Sequence, residues 1–175
     1  MHHVIIFIDS GDTLIDESSE IRNDCDIVQT ANFVPGAREM LNTLHTEHYR
    51  IAMVADGYAE SFRNMYTYLN MNHCFEQRIY SSDVGEEKPS RKMFLRAMEQ
   101  MNLKDEDKPQ IIMVGNNLKR DIVGANRFGI TSVLLDWSPR YSMQPESEEE
   151  KPCYIIHNPM DLVDLVHRLD RKERA

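Results

Sequence analysis

Apolar positions along this chain follow two alternating patterns. Short unbroken runs rich in β-branched residues lie at Val4–Ile8, Arg50–Val54, Arg78–Tyr80, Gln110–Val114, Thr131–Leu135 and Cys153–Ile156. Runs of this length, bounded by turn residues, predict strands of a parallel sheet buried on both faces. Between them the apolar residues recur three and four apart. Ala37–His45 follows Pro35-Gly36, a favourable helix start. Ala59–Leu69 puts Phe62, Met65, Tyr66 and Leu69 on one face, and Ser90–Met101 does the same with Met93, Phe94, Ala97, Met98 and Met101. Met160–Leu169 aligns Leu162, Val163, Leu165, Val166 and Leu169. Such stripes predict amphipathic helices packed on a core, with the methionines as packing residues. Alternating β and α units require right-handed crossovers. The expected fold is therefore α/β, a Rossmann-like three-layer sandwich around a mainly parallel sheet.

Three stretches break the pattern. Asp16–Asn32 is polar and acidic without a sustained period; residues 16–31 are long enough for a flap or hairpin. Asn102–Pro109 is a charged helix-to-strand connection. Trp137–Pro152 carries Glu148-Glu149-Glu150 and two prolines, which predicts a solvated, mobile loop over 138–152 with the triple Glu at the surface. With 175 residues and no internal repeat, residues 1–175 are expected to form a single domain.

Charge narrows the partners. Twenty-nine acidic against 20 basic residues give a net charge of -9, which argues against a nucleic-acid or anionic-membrane surface and leaves room for a local basic pocket. No apolar run approaches the ~20 residues of a membrane span, and the first residues lack a signal-peptide layout. Cys25, Cys74 and Cys153 are odd in number, widely spaced and without metal-ligand spacing. A reducing, cytoplasmic location is expected.

The chemistry collects at strand ends. The first strand stops at Asp9, followed by Ser10-Gly11-Asp12-Thr13; the second runs into Ala55-Asp56-Gly57; the loop after the third carries Glu87-Lys88-Pro89; the fourth ends in Gly115-Asn116-Asn117 and reaches Asp121. In an open parallel sheet, ligands bind beyond the carboxyl ends of the strands, so these residues converge. Acids together with a lysine suggest a hard divalent cation, magnesium, and a phosphate-bearing substrate.

With these motifs in this order, the chain resembles the haloacid dehalogenase-like (HAD) hydrolase superfamily along nearly its whole length. Asp9 and Thr13 fit the first motif, Lys88 the third and Asp121 the end of the fourth. Val34-Pro35-Gly36 and the Asp121–Ile130 segment add supporting wording. The resemblance implies a phosphomonoesterase in which Asp9 attacks phosphorus and forms an aspartyl-phosphate that water hydrolyses. It implies Mg2+ held by Asp9, the carbonyl of Gly11, Asn116 and Asp121. It also implies substrate contacts from Thr13, Lys88 and the Ala55-Asp56-Gly57 turn.

Three positions depart from the family. Gly11 stands where the second Asp, the general acid–base, is placed, and Asp12 occupies the next position. Asp12 is the candidate for that role, although a residue shifted by one in a tight turn points in a different direction. Ala55 replaces a Ser or Thr, leaving the N–H groups of Asp56 and Gly57 to meet a phosphate. Asn116 replaces an acid and offers a neutral oxygen to the metal. The alternative to a working phosphatase is a weak or inactive HAD-fold protein that binds a phosphorylated ligand or a protein partner. Dehalogenation needs a cap domain. Only 45 residues separate Asp9 from Ala55 and 30 separate Gly57 from Lys88, too few for one. The resemblance is thus to the capless (C0-like) branch, whose open sites suit larger substrates or are closed over by a neighbouring subunit. The expected partners are a small phosphorylated substrate or a phosphoprotein, with a homo-oligomer closing the open site. Tyr58, Tyr80 and the Trp137–Tyr141 segment are the expected rim.

Overall fold

In the computed structural model, which describes residues 2–138 and 140–172, six strands lie parallel in the order β5-β4-β1-β6-β7-β8. They are β1 (Ile5–Ile8), β4 (Arg50–Ala55), β5 (Gln77–Tyr80), β6 (Ile111–Gly115), β7 (Thr131–Leu135) and β8 (Tyr154–Ile156). Strands β2 (Ile15–Arg22) and β3 (Val28–Phe33) pair antiparallel as a separate hairpin. Helices α1 (Ala37–Thr46), α2 (Ala59–Tyr68), α3 (Ser81–Val84), α4 (Arg91–Gln100), α5 (Val123–Phe128) and α6 (Asp161–Lys172) connect and cover the sheet. The α/β, parallel, three-layer expectation holds, with strand and helix ends moved by one to three residues.

The pleat explains why the strand sequences are apolar throughout. In register, Ile6 lies between Ile51 and Ile112, and Ile8 between Met53 and Val114. These residues face a core closed by α1, α2 and α6 through Met40, Leu41, Leu44, Met65, Tyr66 and Leu165. Their neighbours Ile5, Phe7, Ala52, Val54 and Met113 face the other side, where Met93, Phe94, Ala97 and Phe128 of α4 and α5 cover them. Alternate residues therefore serve opposite cores, and each fully buried large side chain stabilises the fold by roughly 1.5–3 kcal/mol.

Helices α3 and α5 escaped the sequence pattern, and the stretch that forms the hairpin was expected only as a flap or hairpin, without strand bounds. Helix α5 is only six residues long and follows a π-helical turn at Leu118–Ile122, so its apolar spacing never accumulates a period. The hairpin bulges between Asp16 and Ile21. There Asp16 Oδ1 accepts from the N–H and hydroxyl of Ser18, and Ser19 Oγ donates to Asp16 O and accepts from Asn32 N. This local network interrupts the alternation that would have announced a strand. The hairpin is fastened to α2, because Ser61 Oγ accepts from Val28 N (3.0 Å) and Asn64 Nδ2 donates to Val28 O (3.0 Å).

The segment expected as a solvated loop is tied down in part. Asn126 Nδ2 donates to the carbonyls of Glu149 (2.7 Å) and Lys151 (3.0 Å), Arg127 pairs with Glu149 (2.6 Å), and Glu150 is buried and accepts from Glu146 N (2.8 Å). The triple Glu is therefore a docking turn, with Glu148 left as its most exposed member. Residues 1, 139 and 173–175 of the expected single domain lie outside the described residues.

At the opposite edge of the sheet, buried Asp170 on α6 holds the start of β1. It accepts from His3 N (2.9 Å), Val4 N (3.0 Å) and Tyr49 Oη (2.8 Å), with His2 Nδ1 at 2.5 Å. Burial alone would raise its pKa, but these donors outweigh it and hold the carboxyl below the ordinary range. A depressed folded-state pKa gives stability that is present above the unfolded value and lost as pH falls through the folded one. We expect Asp170→Asn to cost about 1–3 kcal/mol at neutral pH in urea unfolding. Its deficit should shrink below about pH 4, where the wild-type carboxylate also becomes protonated in the unfolded chain.

Candidate functional site

Strand β1 ends at Ile8, and Asp9 continues its line by donating its N–H to Val114 O (2.9 Å) on β6. This fixes the Asp9 carboxylate beyond the carboxyl edge, between the ends of β4 and β6. Lys88, from the segment between α3 and α4, reaches the same point. Its Nζ donates to Asp9 Oδ1 (2.7 Å), Asp121 Oδ1 (2.7 Å) and Val54 O (2.8 Å), which uses all three ammonium protons. Asp56 holds the lysine's backbone, accepting from Lys88 N at 2.9 Å, and its second oxygen lies 4.0 Å from Nζ.

Burial works against charge on Lys88, but Asp121, Asp9 and Asp56 outweigh it and hold the ammonium far above the ordinary lysine range. Burial also pushes the Asp121 carboxyl up, against the pull of Lys88. The two tendencies conflict, since one keeps the ion pair and the other neutralises half of it. The 2.7 Å contact, the length of a charge-assisted bond, decides for the pair. Asp56 is likewise raised by burial and restrained by Lys88.

Asp121 can reach this position because residue 115 is glycine. A Cβ there would lie 2.2 Å from the Asp121 carboxylate. The π-helical turn that carries Asp121 is capped by Asn117, whose Oδ1 accepts from Lys119 N (3.0 Å) and Arg120 N (3.1 Å), while Asn117 N donates to Asp121 Oδ2 (3.1 Å). π-helical turns concentrate at functional sites, and here the turn aims an acid.

A cleft of about 40 Å³ opens over this group, walled also by Gly11, Glu17, Asn116, Arg120 and Tyr141. Arg120 stands at its mouth, 3.6 Å from Asp56 and 3.8 Å from Glu87. A larger pocket of about 220 Å³ adjoins through Gly11, Glu17 and Asp56, and extends between the hairpin and α2 to Tyr58 and Met65. Burial and the Asp12, Glu20 and Asp9 carboxylates push the Glu17 carboxyl up to about 7, against the pull of Arg140.

The structure brings Asp9, Gly11, Asp56, Lys88, Asn116 and Asp121 together around the cleft. Other expected residues lie elsewhere. Asp12 is buried with a positive φ of 47°, its carboxylate paired with Arg140 and accepting from Glu17 N (3.2 Å), and it does not line the cleft. The extra step along the turn rotates it away from Asp9, so the expectation of Asp12 as catalytic acid is corrected to a structural anchor for Arg140. Trp137 Nε1 donates to Asp12 O, which ties the loop after β7 to the same turn. The Gly57 N–H, expected to meet a phosphate, is taken by Ser81 Oγ (2.8 Å). Ala55 is buried at the end of β4, and Thr13 is buried outside the cleft with an unpartnered hydroxyl. Tyr80 is buried and stacked on Phe62, with ring centroids 4.8 Å apart, so it is core; Tyr58 and Tyr141 remain at the rim. Sequence reasoning missed Glu17 and Arg120, held Arg140 only within the expected rim segment, and named Gly115 as a strand end without its role beneath Asp121. Of these only Gly115, a glycine ending a buried strand, carried a readable signal.

The site and fold define a HAD hydrolase, and residues 8–135 match the family model of haloacid dehalogenase-like hydrolases. The chain belongs to this family. It is 29% identical over 135 residues to glyceraldehyde 3-phosphate phosphatase of Methanopyrus kandleri, covering 77% of this chain and 57% of that protein. The corresponding enzyme of Pyrococcus furiosus is 30% identical over 135 residues, with 77% and 55% covered. The chain therefore spans little more than half the length of these relatives. In three dimensions it resembles a HAD-superfamily hydrolase from Ehrlichia chaffeensis, with a TM-score of 0.73, 19% identity, and 97% of this chain and 98% of that one covered. It also resembles magnesium-bound YfnB from Bacillus subtilis, with a TM-score of 0.75, 14% identity, and 95% and 99% covered.

Two substitutions probe the arrangement. Lys88→Met leaves Asp9 and Asp121 buried without a counter-charge and should cost about 3–5 kcal/mol in urea unfolding at neutral pH. Gly115→Ala drives a methyl group into the Asp121 carboxylate and should cost about 1–3 kcal/mol by the same measurement, with its deficit reduced when combined with Asp121→Ala.

Proposed function

We propose that this protein is a magnesium-dependent phosphomonoesterase that acts on a small phosphorylated substrate through an aspartyl-phosphate on Asp9. The observation that carries the reading is the Asp9–Lys88–Asp121 group at the floor of an anion-sized cleft. Lys88 pre-orients one oxygen of Asp9, which leaves the other to attack phosphorus, and Arg120 at the mouth offers a cation to an approaching phosphate. The cleft and its adjoining pocket suit a small ester better than a folded phosphoprotein. The two named relatives, glyceraldehyde 3-phosphate phosphatases, support the same class.

The residues present also fit a divalent cation. Asp9, Asp56 and Asp121 bring three carboxylates to one buried ammonium, an excess of negative charge that a cation would offset. Asn116 is 1% exposed with its Nδ2 unpartnered, and a half-turn of the amide presents a carbonyl oxygen in its place. Among the described residues no three His, Cys, Asp or Glu side chains form a ready-made cage. Magnesium needs none, since it keeps several waters and takes one or two carboxylates. Asp9, Asp121, Asn116 and the Gly11 carbonyl would hold the ion. When bound, it supplies charge neutralisation between nucleophile and phosphate.

A cytoplasmic location is supported by three free cysteines and by the absence, among the described residues, of a helix long and apolar enough to cross a membrane. A second reading, phosphate binding without turnover, draws on Gly57 and Asp12 being engaged elsewhere. Turnover of p-nitrophenyl phosphate with magnesium decides between them. Wild-type protein should release nitrophenol and form a beryllium trifluoride adduct on Asp9. Asp9→Asn should lower kcat by at least ~10³-fold. Unchanged activity in Asp9→Asn would remove the proposed nucleophile, and an adduct without turnover would favour binding alone.

A further inference from the structure

The family resemblance implies an acid–base carboxyl at position 11, where this chain has glycine, and the structure fills that space from another element. A Cβ built on Gly11 would lie 1.9 Å from Glu17 Oε1 and 2.9 Å from Glu17 Cδ. The carboxyl group of Glu17 thus occupies the volume that a residue 11 side chain would take, against the cleft that holds Asp9. Two contacts hold it there: Glu17 N donates to Asp12 Oδ1 (3.2 Å), and Arg140 Nε lies 3.7 Å from its Oε2. It is also the one carboxylate shared by the walls of the Asp9 cleft and the 220 Å³ pocket other than Asp56, whose oxygens are committed to Lys88 and Arg120.

We propose that Glu17, carried on the hairpin, supplies the acid–base carboxyl that position 11 lacks. The proposal rests on the phosphomonoesterase reading above. As Asp9 forms its bond to phosphorus, the phosphorus–oxygen bond to the leaving group breaks, and the departing oxygen takes the proton of the Glu17 carboxylic acid and leaves as an alcohol. The resulting Glu17 carboxylate then accepts a proton from the water that attacks the aspartyl-phosphate. Inorganic phosphate leaves, Asp9 returns as a carboxylate and Glu17 as an acid, so protons and charge balance over the cycle. The carboxyl group lies where the phosphate cleft meets the larger pocket, which is where a leaving-group oxygen must sit if the alcohol portion occupies that pocket.

The test compares glycerol 2-phosphate, whose alkoxide leaves poorly, with p-nitrophenyl phosphate, whose phenolate leaves without protonation. Glu17→Gln keeps the shape and removes the proton. It should lower kcat on glycerol 2-phosphate by ~10²–10⁴-fold, while the burst of nitrophenol from the aryl ester falls by less than about tenfold. The phosphorylated enzyme should then accumulate, because the second step has lost its base. Glu17→Ala vacates the space beside Gly11, so Gly11→Asp with Glu17→Ala should recover alkyl ester turnover that Glu17→Ala alone lacks. A nitrophenol burst slowed as much as alkyl ester turnover, or Glu17→Gln activity within about threefold of wild type on both esters, would overturn the role of Glu17 while leaving Asp9 as nucleophile. Absence of any turnover by the wild-type protein would overturn the phosphomonoesterase reading and this proposal together.

Discussion

Everything at this site depends on one buried ammonium. Lys88 is 3% exposed, and its three protons go to Asp9 just past β1, to Val54 O in β4 and to Asp121 on the π-helical turn that follows β6. The sheet order places β4, β1 and β6 side by side, so the lysine stitches together the carboxyl edges of the three central strands. Neither the lysine nor the acids could be buried alone, since an isolated buried charge costs far more than a fold of this size can sustain. The acids still outnumber the lysine. That imbalance links the architecture to a cation, and it explains why Arg120 at the rim and the amide of Asn116 in the wall both face the same small space.

The scaffold was legible because it follows periodic rules, whereas the site combines periodic and non-periodic parts. Strand ends at Asp9 and Ala55, and the lysine ahead of an apolar helix, could be read because each interrupts a clear hydrophobic period. The Gly115–Asp121 turn was readable as a position but not as a mechanism: its π geometry, and the need for glycine beneath the Asp121 carboxylate, are steric facts of the folded chain. Asp12 illustrates the opposite limit. Its neighbourhood in sequence suggested chemistry, but a positive φ and a partner 128 residues away, Arg140, turned it to structure. Glu17 lay in a stretch whose alternation is broken by side chain to backbone bonds. No local pattern marked one acid there above its neighbours.

Position 11 and position 12 together show how a departure in a motif is absorbed. Moving an acid one step along a tight turn changes its direction, and Asp12 then becomes available to hold Arg140, which in turn stands beside Glu17. A glycine at 11 is what admits the Glu17 carboxyl, because any side chain there would collide with it. The two changes are therefore mutually consistent rather than two independent losses. One opens a space, and the other helps to place a group in it.

The hairpin that delivers Glu17 also determines what the site can admit. It is bound to α2 through Val28, Ser61 and Asn64, so it stands over the adjoining pocket as a fixed wall. The adjoining pocket opens between this wall and the end of β4. The two faces of that opening differ, one formed by Asp56 and Gly57 at the end of β4 and the other by the hairpin's Glu17, Glu20 and Arg22. A leaving group in the pocket would thus meet apolar contacts from Phe62 and Met65 at its base and charged groups from the hairpin above. The pocket wall is thus shared between the hairpin and the β4–α2 segment, whereas the Asp9–Lys88–Asp121 group stands on the sheet. The hydrogen bonds that fix Asp9, Lys88 and Asp121 use none of the hairpin's residues, so a change of side chain on the hairpin leaves that group's own contacts in place.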